Sequence, residues 1–231
     1  MKKLFWIISV MFLLQACTTV QSVYFERLQP ADVNFPAQIR SVGVVNNMPP
    51  VHQDYKDVDY TSASLEGDGD IAAENLAQEL AAVDYFDQVV LYDKRVRKSA
   101  YPLEQPIPKE TVDELIRLLD VDMLLSMERV NVVLKDSTMF IPELYTFVPA
   151  AEGVVTSVVR AYLKQQEKPL FSIQKTDTLC WEIVQDLTFG DIVKDFSEYA
   201  ASIPMQYLLP YWKEEERRYF DGGNVNMRDA G

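Results

Sequence analysis

Between Ile39 and Leu134 the chain alternates strand-like and helix-like segments, and this limits the available folds more than any other feature. Ile39 to Val45 is a β-branched run closed by Asn46-Asn47, which predicts a strand and a turn. Ala73, Leu76, Ala77, Leu80 and Val83 fall on one face at helical spacing, so residues 71–83 are expected to form an amphipathic helix with Asp70 as its cap. Gln88 to Tyr92 reads as the next strand. Thr111 and Glu114 stand at capping-box spacing just before Val112, Leu115, Ile116 and Leu119, which predicts a second helix. Val121 to Leu134 then reads as a long strand. Strand, helix, strand, helix, strand implies crossover connections and a sheet with helices packed on it.

The second half has a different pattern. Val154 to Leu163 and Leu170 to Glu182 are long strand-like runs, joined by the polar stretch Lys164 to Pro169, as in an antiparallel hairpin. In the second run Phe171, Ile173, Leu179 and Trp181 alternate with polar residues, the mark of a sheet with one wet face. A helix is expected over 189–203, ended or kinked by Pro204, and a closing strand over Tyr211 to Phe220. Val23 to Leu28 reads as a short first strand. The expected class is α/β with an α+β second half. A βαβαβ opening leads into long antiparallel strands, a C-terminal helix and a closing strand, in one mixed sheet.

The N-terminus fixes the expected compartment. Lys2 and Lys3 precede an eleven-residue apolar run, Leu4 to Leu14, interrupted by one serine. That is too short to span a bilayer, which takes about 20 residues, and it suits the apolar region of a secretory signal. The run ends Leu14-Gln15-Ala16-Cys17, which resembles the bacterial lipobox. Cleavage before Cys17 and lipidation of that residue are therefore expected; a plain secretory signal or an uncleaved anchor are the alternatives. Removing residues 1–16 takes Lys2 and Lys3 with it, so the formal charge falls from −13 to −15 and Cys180 is the last thiol. No internal disulfide can then form, and the core alone must hold the fold. The acidic surplus argues against nucleic acid, since few cations are available to replace counterions on phosphates. Thr18 follows the cysteine where an inner-membrane retention signal would place Asp, so the domain is expected on the outer membrane, facing the periplasm. Expected boundaries are a signal over 1–16, a linker over 17–22, one domain over 23–221 and a tail over 222–231.

Candidate chemistry is sparse. Glu66-Gly67-Asp68-Gly69-Asp70 alternates acids as a cation loop does, but lacks the distal glutamate of a calcium loop and reads equally as a Gly-rich turn into a helix. The lone His52, near Asp54 and Asp57, lacks a serine elbow to serve. Cys180 reads as a packing residue in a strand rather than a nucleophile. Asp120/Asp122 and Asp191/Asp195 have helix-end or strand-start explanations. No metal or cofactor is expected. One stretch is out of place: Met139 to Pro149 falls between predicted strands, where polar residues belong. Yet it carries Met139, Phe140, Ile141, Leu144, Tyr145 and Phe147. Either it is an exposed apolar loop that docks on a partner or on the membrane, or it folds over the sheet edge to cover core.

The strand ending Asn46-Asn47, the Phe86-x-x-Val89-Val90 strand, Asp122-x-Leu124 after a helix, and the Pro210, Trp212, Arg218, Phe220 end, together with the lipobox, resemble an uncharacterised lipoprotein family of Bacteroides-like bacteria. Those motifs are structural and bring over no catalytic residue. Members often continue into tetratricopeptide-type helices, which would begin in the 222–231 tail. The resulting expectation is a non-enzymatic, lipid-anchored envelope protein, an interaction or scaffold module meeting the membrane through its lipid and an envelope protein through the 139–149 segment. The alternative is an envelope hydrolase or carbohydrate-binding protein with a site in the 48–69 loop. The anchor has a direct test: Cys17→Ser should release the protein from membranes and abolish palmitate labelling.

Overall fold

The computed structural model describes residues 20–50, 63–97, 105–183 and 187–220. The chain divides into two compact units, one from Ala31 to Leu209 and one built from both flanks, up to Pro30 and from Pro210 onward. The domain expected over 23–221 spans both.

The flanking unit is a two-stranded antiparallel ribbon. Strand β1 (Val20–Gln29) pairs with β8 (Tyr211–Phe220), from Val20 opposite Phe220 to Gln29 opposite Tyr211. The closing strand thus forms where expected, but its partner is β1 and not the main sheet.

The larger unit contains β2 (Ser41–Asn46), β3 (Ser64–Glu66), α1 (Gly69–Ala82), β4 (Gln88–Tyr92), α2 (Lys109–Leu119), β5 (Met123–Ile141), β6 (Thr146–Leu163), β7 (Phe171–Glu182) and α3 (Phe189–Leu208). Its sheet runs β4-β2-β5-β6-β7, with β3 added on β5. Strand β2 is parallel to both β4 and β5, as the crossover helices require; β5, β6 and β7 form an antiparallel meander. One sheet face packs on α1 and α3 through Leu76, Leu80, Ile192, Phe196 and Ala200. The other is covered by α2 through Val112, Leu115 and Ile116, which meet Val45, Leu124 and Tyr162. On β7 the residues between Phe171 and Trp181 alternate as expected, and Cys180 points to solvent; it is exposed and does not pack.

Strand β5 changes face partway along. Met123, Leu125 and Met127 lie in the α1/α3 core, and so do Val130, Val132 and Leu134. Odd positions give way to even ones because the β5–β6 register slips between Met127 and Arg129, leaving Glu128 as the extra residue of a β-bulge. The bulge keeps both halves of a 19-residue strand facing one core.

Helix ends differ from the sequence reading in three places. Asp68, not Asp70, caps α1: its carboxylate accepts from the Asp70 and Ile71 amides at 2.9 and 3.3 Å. A cap of this type contributes about 1 kcal/mol. Helix α2 begins at Lys109 behind Pro108, so Thr111 lies inside the first turn and makes no capping box. Helix α3 runs through Pro204 to Leu208, because Ile203, Pro204 and Leu208 are all buried and their packing holds the last turn. A true capping box stands at its start, with Thr188 and Asp191 bonded reciprocally.

Gly153 sits on β6 opposite Leu134. A Cβ there would stand 2.5 Å from Val132 Cγ2 and 2.7 Å from Trp181 Cζ3, in the middle of the core. Gly153→Ala should therefore destabilise the protein by about 1–3 kcal/mol through overpacking. Urea unfolding should show a lower midpoint at unchanged slope.

Candidate functional site

The unusual 139–149 stretch is neither a loop nor folded over the sheet. Strands β5 and β6 extend through it, pairing Thr138 with Pro149, Met139 with Val148, Phe140 with Phe147 and Ile141 with Thr146. Strand β7 last pairs with β6 at Ala150 and the Ile183 amide still donates to the Pro149 carbonyl at 3.0 Å, so among the described residues the three pairs from Met139–Val148 outward form a two-stranded arm beyond the rest of the sheet. Pro142 to Tyr145 make the turn, with the Leu144 amide donating to the Ile141 carbonyl and the Tyr145 amide to the Pro142 carbonyl. Pro149 is tolerated at the base of the arm because an outer strand position leaves its missing N–H harmless.

The arm carries its apolar side chains outward. Leu144 is 70% exposed, Tyr145 88% and Phe147 68%. Phe140 is exposed too, and its ring packs against Phe147 and Tyr145 at centroid separations of 5.1 and 5.6 Å. Met139 and Ile141 are half-buried. All six residues expected to bind a partner are thus brought together at one tip. Tyr145 holds a left-handed backbone, φ 50°. That conformation costs a non-glycine residue about 1–2 kcal/mol, and Asn or Gly would bear it with less strain.

A second cluster was not foreseen. The bulge turns Glu128 to the α2 side, where its carboxylate is 1% exposed. Asn47 Nδ2 donates to Oε2 at 2.7 Å and Tyr162 Oη donates to Oε1 at 2.9 Å. The guanidiniums of Arg97 and Arg160 stand 3.6 and 3.7 Å from Oε2. Arg97 also donates from Nε to the Asn47 carbonyl at 2.8 Å and from a terminal nitrogen to the Gln105 carbonyl at 3.2 Å. The Ile107 amide donates to Tyr162 Oη at 3.2 Å. Burial pushes the Glu128 carboxyl above its ordinary range, against the opposing pull of Asn47, Arg160, Ser126 and Tyr162. The Tyr162 hydroxyl is pushed up by burial and by the Glu128 charge. This network ties β2, β5 and β6 to the segment entering α2. Beside it lies a cleft of about 570 Å³ lined by Asn47, Arg95, Arg97, Ile107 and Leu118, among others. A carboxylate so enclosed cannot reach a bound molecule, so the cluster works as a latch. The signal in the sequence was the charged pair Glu128-Arg129 inside an apolar run.

Residues 39–220 match the family described as a domain of unknown function, DUF8603. The chain belongs to the DUF8603 family. The match takes in the arm, the latch and β8, while β1 lies outside it. No curated protein matches the chain. Among solved structures, a PelC dodecamer from Paraburkholderia phytofirmans is 14% identical over 82% of this chain and 99% of that one, with a TM-score of 0.36. A minor lipoprotein from Acinetobacter baumannii is 8% identical over 76% and 98%, with a TM-score of 0.31. Neither likeness is close enough to support a functional argument.

The other candidates in this DUF8603 chain are structural or out of view. Cys17, His52, Asp54 and Asp57 lie outside the described residues. Asp68 is a helix cap, and Asp70 accepts from Asn46 Nδ2 at 2.6 Å. Glu66 sits in β3, its carboxyl raised by burial. Asp120 ends α2 in a left-handed conformation. Asp122 accepts from the Arg40 and Ser41 amides at 2.8 and 2.9 Å, which holds its carboxyl below the ordinary range. Asp195 accepts from Trp181 Nε1 at 3.1 Å. Among the described residues, no three His, Cys, Asp or Glu side chains gather as a metal ion would need.

The latch makes a pH prediction. A carboxyl whose folded pKa lies above its unfolded value of 4.5 stabilises the fold below that value and loses its contribution as pH rises toward the folded pKa. The stability of the native protein relative to Glu128→Gln should fall as pH rises above 4.5 and level off beyond the folded pKa, as urea titrations across pH would show. Glu128→Ala leaves Arg97 and Arg160 without their carboxylate and should cost about 3–5 kcal/mol.

Proposed function

We propose that this DUF8603 chain is a non-enzymatic interaction module of the cell envelope, held by a lipid on Cys17 and engaging a second envelope protein through its arm. One observation carries the reading: Phe140, Leu144, Tyr145 and Phe147 stand exposed together at the end of a two-stranded arm. A segment that only covered its own core would bury them. Grouped exposed apolar side chains with a charged surround mark interaction surfaces, and aromatic residues are the usual anchors there.

Charge selects the partner. Asp136, Glu143 and Glu152 flank the tip; Lys135, paired with Glu152 at 2.6 Å, offsets one of the three, and neither Lys nor Arg occurs between Asp136 and Val159. An anionic bilayer would repel such an arm, whereas an apolar protein cleft edged by basic side chains complements it. Support for an envelope location comes from the lipobox and from Thr18, which favours outer-membrane sorting and a periplasm-facing domain.

The test is photo-cross-linking in intact cells with a photoreactive residue in place of Tyr145. One dominant adduct with an envelope protein is expected. Phe140→Asp with Phe147→Asp should abolish it while leaving the melting temperature within a degree or two, since both side chains are exposed. Adducts to lipid, or a diffuse smear unaffected by the substitutions, would defeat the reading.

A further inference from the structure

The β1–β8 ribbon is polarised along its length. The four cross-strand pairs nearest Cys17, from Val20–Phe220 to Val23–Arg217, carry Arg217 and Arg218 and no acid. The remaining six pairs carry Glu26, Glu214, Glu215 and Glu216 against Arg27 and Lys213. The formal charge is therefore +2 at one end and −2 at the other, in a chain of −13. Val23, in the last basic pair, is 47% exposed, and Tyr24, in the next pair opposite Glu216, is 62% exposed. The Arg217 guanidinium reaches along the ribbon to lie over the ring of Phe25, which pairs with Glu215, at 4.9 Å. Arg218 is engaged with Glu216 at 3.0 Å, the arginine side chain 72% and the glutamate 32% exposed, and Glu216 also accepts from Ser22 Oγ; surface pairs of this kind contribute little and can exchange for a competing phosphate.

Covalent geometry sets where this end can be. Val20 is three residues from Cys17, a reach of about 10–11 Å when fully extended. Each headgroup layer of a bilayer is itself about 5–8 Å deep. A lipid on Cys17 therefore holds the start of β1 in or just above that layer. Aromatic and basic side chains together are what the interface favours, the rings lying at headgroup level and the arginines reaching phosphate.

We infer that the Arg217/Arg218 end of the ribbon docks on the anionic phospholipid headgroups of the membrane that holds Cys17, with Tyr24 and Val23 entering the interface. The inference rests on the lipid-anchor reading above and adds a second, non-covalent contact.

The experiment uses lipidated full-length protein with Cys180→Ser, reconstituted in vesicles of phosphatidylethanolamine and phosphatidylglycerol whose acyl chains carry bromine. A nitrobenzoxadiazole probe is placed through Val23→Cys or Leu28→Cys, two sites of similar exposure at opposite ends of the ribbon. Quenching should be several-fold stronger at position 23 than at 28. The difference should disappear in vesicles of phosphatidylcholine alone and with Arg217→Gln plus Arg218→Gln, while lipid content and vesicle flotation stay unchanged. Weak, equal quenching at both sites in protein that carries its lipid overturns the inference and leaves the anchor intact. Quenching at 23 that ignores both the charge variant and the vesicle charge overturns the anionic partner. Protein that carries no lipid and does not float defeats the anchor reading, and the inference with it.

Discussion

The larger unit depends on a single inserted residue. Strand β5 is central to the sheet, bonded to β2, β3 and β6, and it must present apolar side chains to the α1/α3 core along most of its length. A strictly alternating strand with Met127 inward would turn Val130, Val132 and Leu134 toward the α2 side. The bulge at Glu128 corrects the phase, and in doing so it pushes a carboxylate into a buried space. The latch follows from that. Asn47, Arg97, Arg160 and Tyr162 supply the donors and charges that a buried carboxylate requires; Asn47 follows β2, Arg97 follows β4, and Arg160 and Tyr162 stand on β6. The bulge and the latch are one device, in which the packing gain on one face is matched by polar satisfaction on the other.

The same strand produces the arm. With its phase corrected, β5 continues past the edge defined by β7, and β6 returns beside it. Past Pro149, whose carbonyl accepts from the Ile183 amide, the described residues place no third strand beside the two, and a free strand edge is a hazard that natural sheets usually blunt with charge or proline. Here Pro149, Pro142, Asp136 and Glu143 serve that purpose while the tip itself stays aromatic. Tyr145 in a left-handed conformation adds a local strain to the same place. Strain and exposed apolar area at one tip both run against stability, which is the physical reason to read the tip as used rather than tolerated.

Much of the fold was legible in the sequence because it is written in local periods. The β-branched run before Asn46, the stripe of Leu76 and Leu80, and the alternation of Phe171 with Ile173 each announce their element without any partner. What was hidden is non-local or phase-dependent. Met123 to Met127 are buried on both faces, so no alternation was visible from which to detect the bulge. The pairing of β1 with β8 joins segments 194 residues apart, as between Ser22 and Glu216, and no local pattern encodes it. Pro142 and Pro149 made an arm look like a loop, because a proline excludes a central strand but not a free one. Pro204 failed to stop α3 for a related reason: burial of its last turn outweighed a local rule. Of the candidate site, the six tip residues were found by their misplaced hydrophobicity; Glu128 was missed because a charge in a strand is ordinarily assigned to solvent.

The acidic surplus also takes on a more specific meaning when located along the chain. As a total it says only that anionic surfaces and nucleic acid are unfavourable partners. Its distribution says more. The arm carries Asp136, Glu143 and Glu152 against Lys135 and is net acidic, whereas the four ribbon pairs nearest Cys17 carry Arg217 and Arg218, the latter paired with Glu216 of the next pair. A chain that used both features on one anionic surface would have no reason to give them opposite charge. Two features of like apolar character and unlike charge instead suit two different partners, one lipid and one protein. On the two proposals together the chain would link them, with each contact kept by its charge from engaging the other's target.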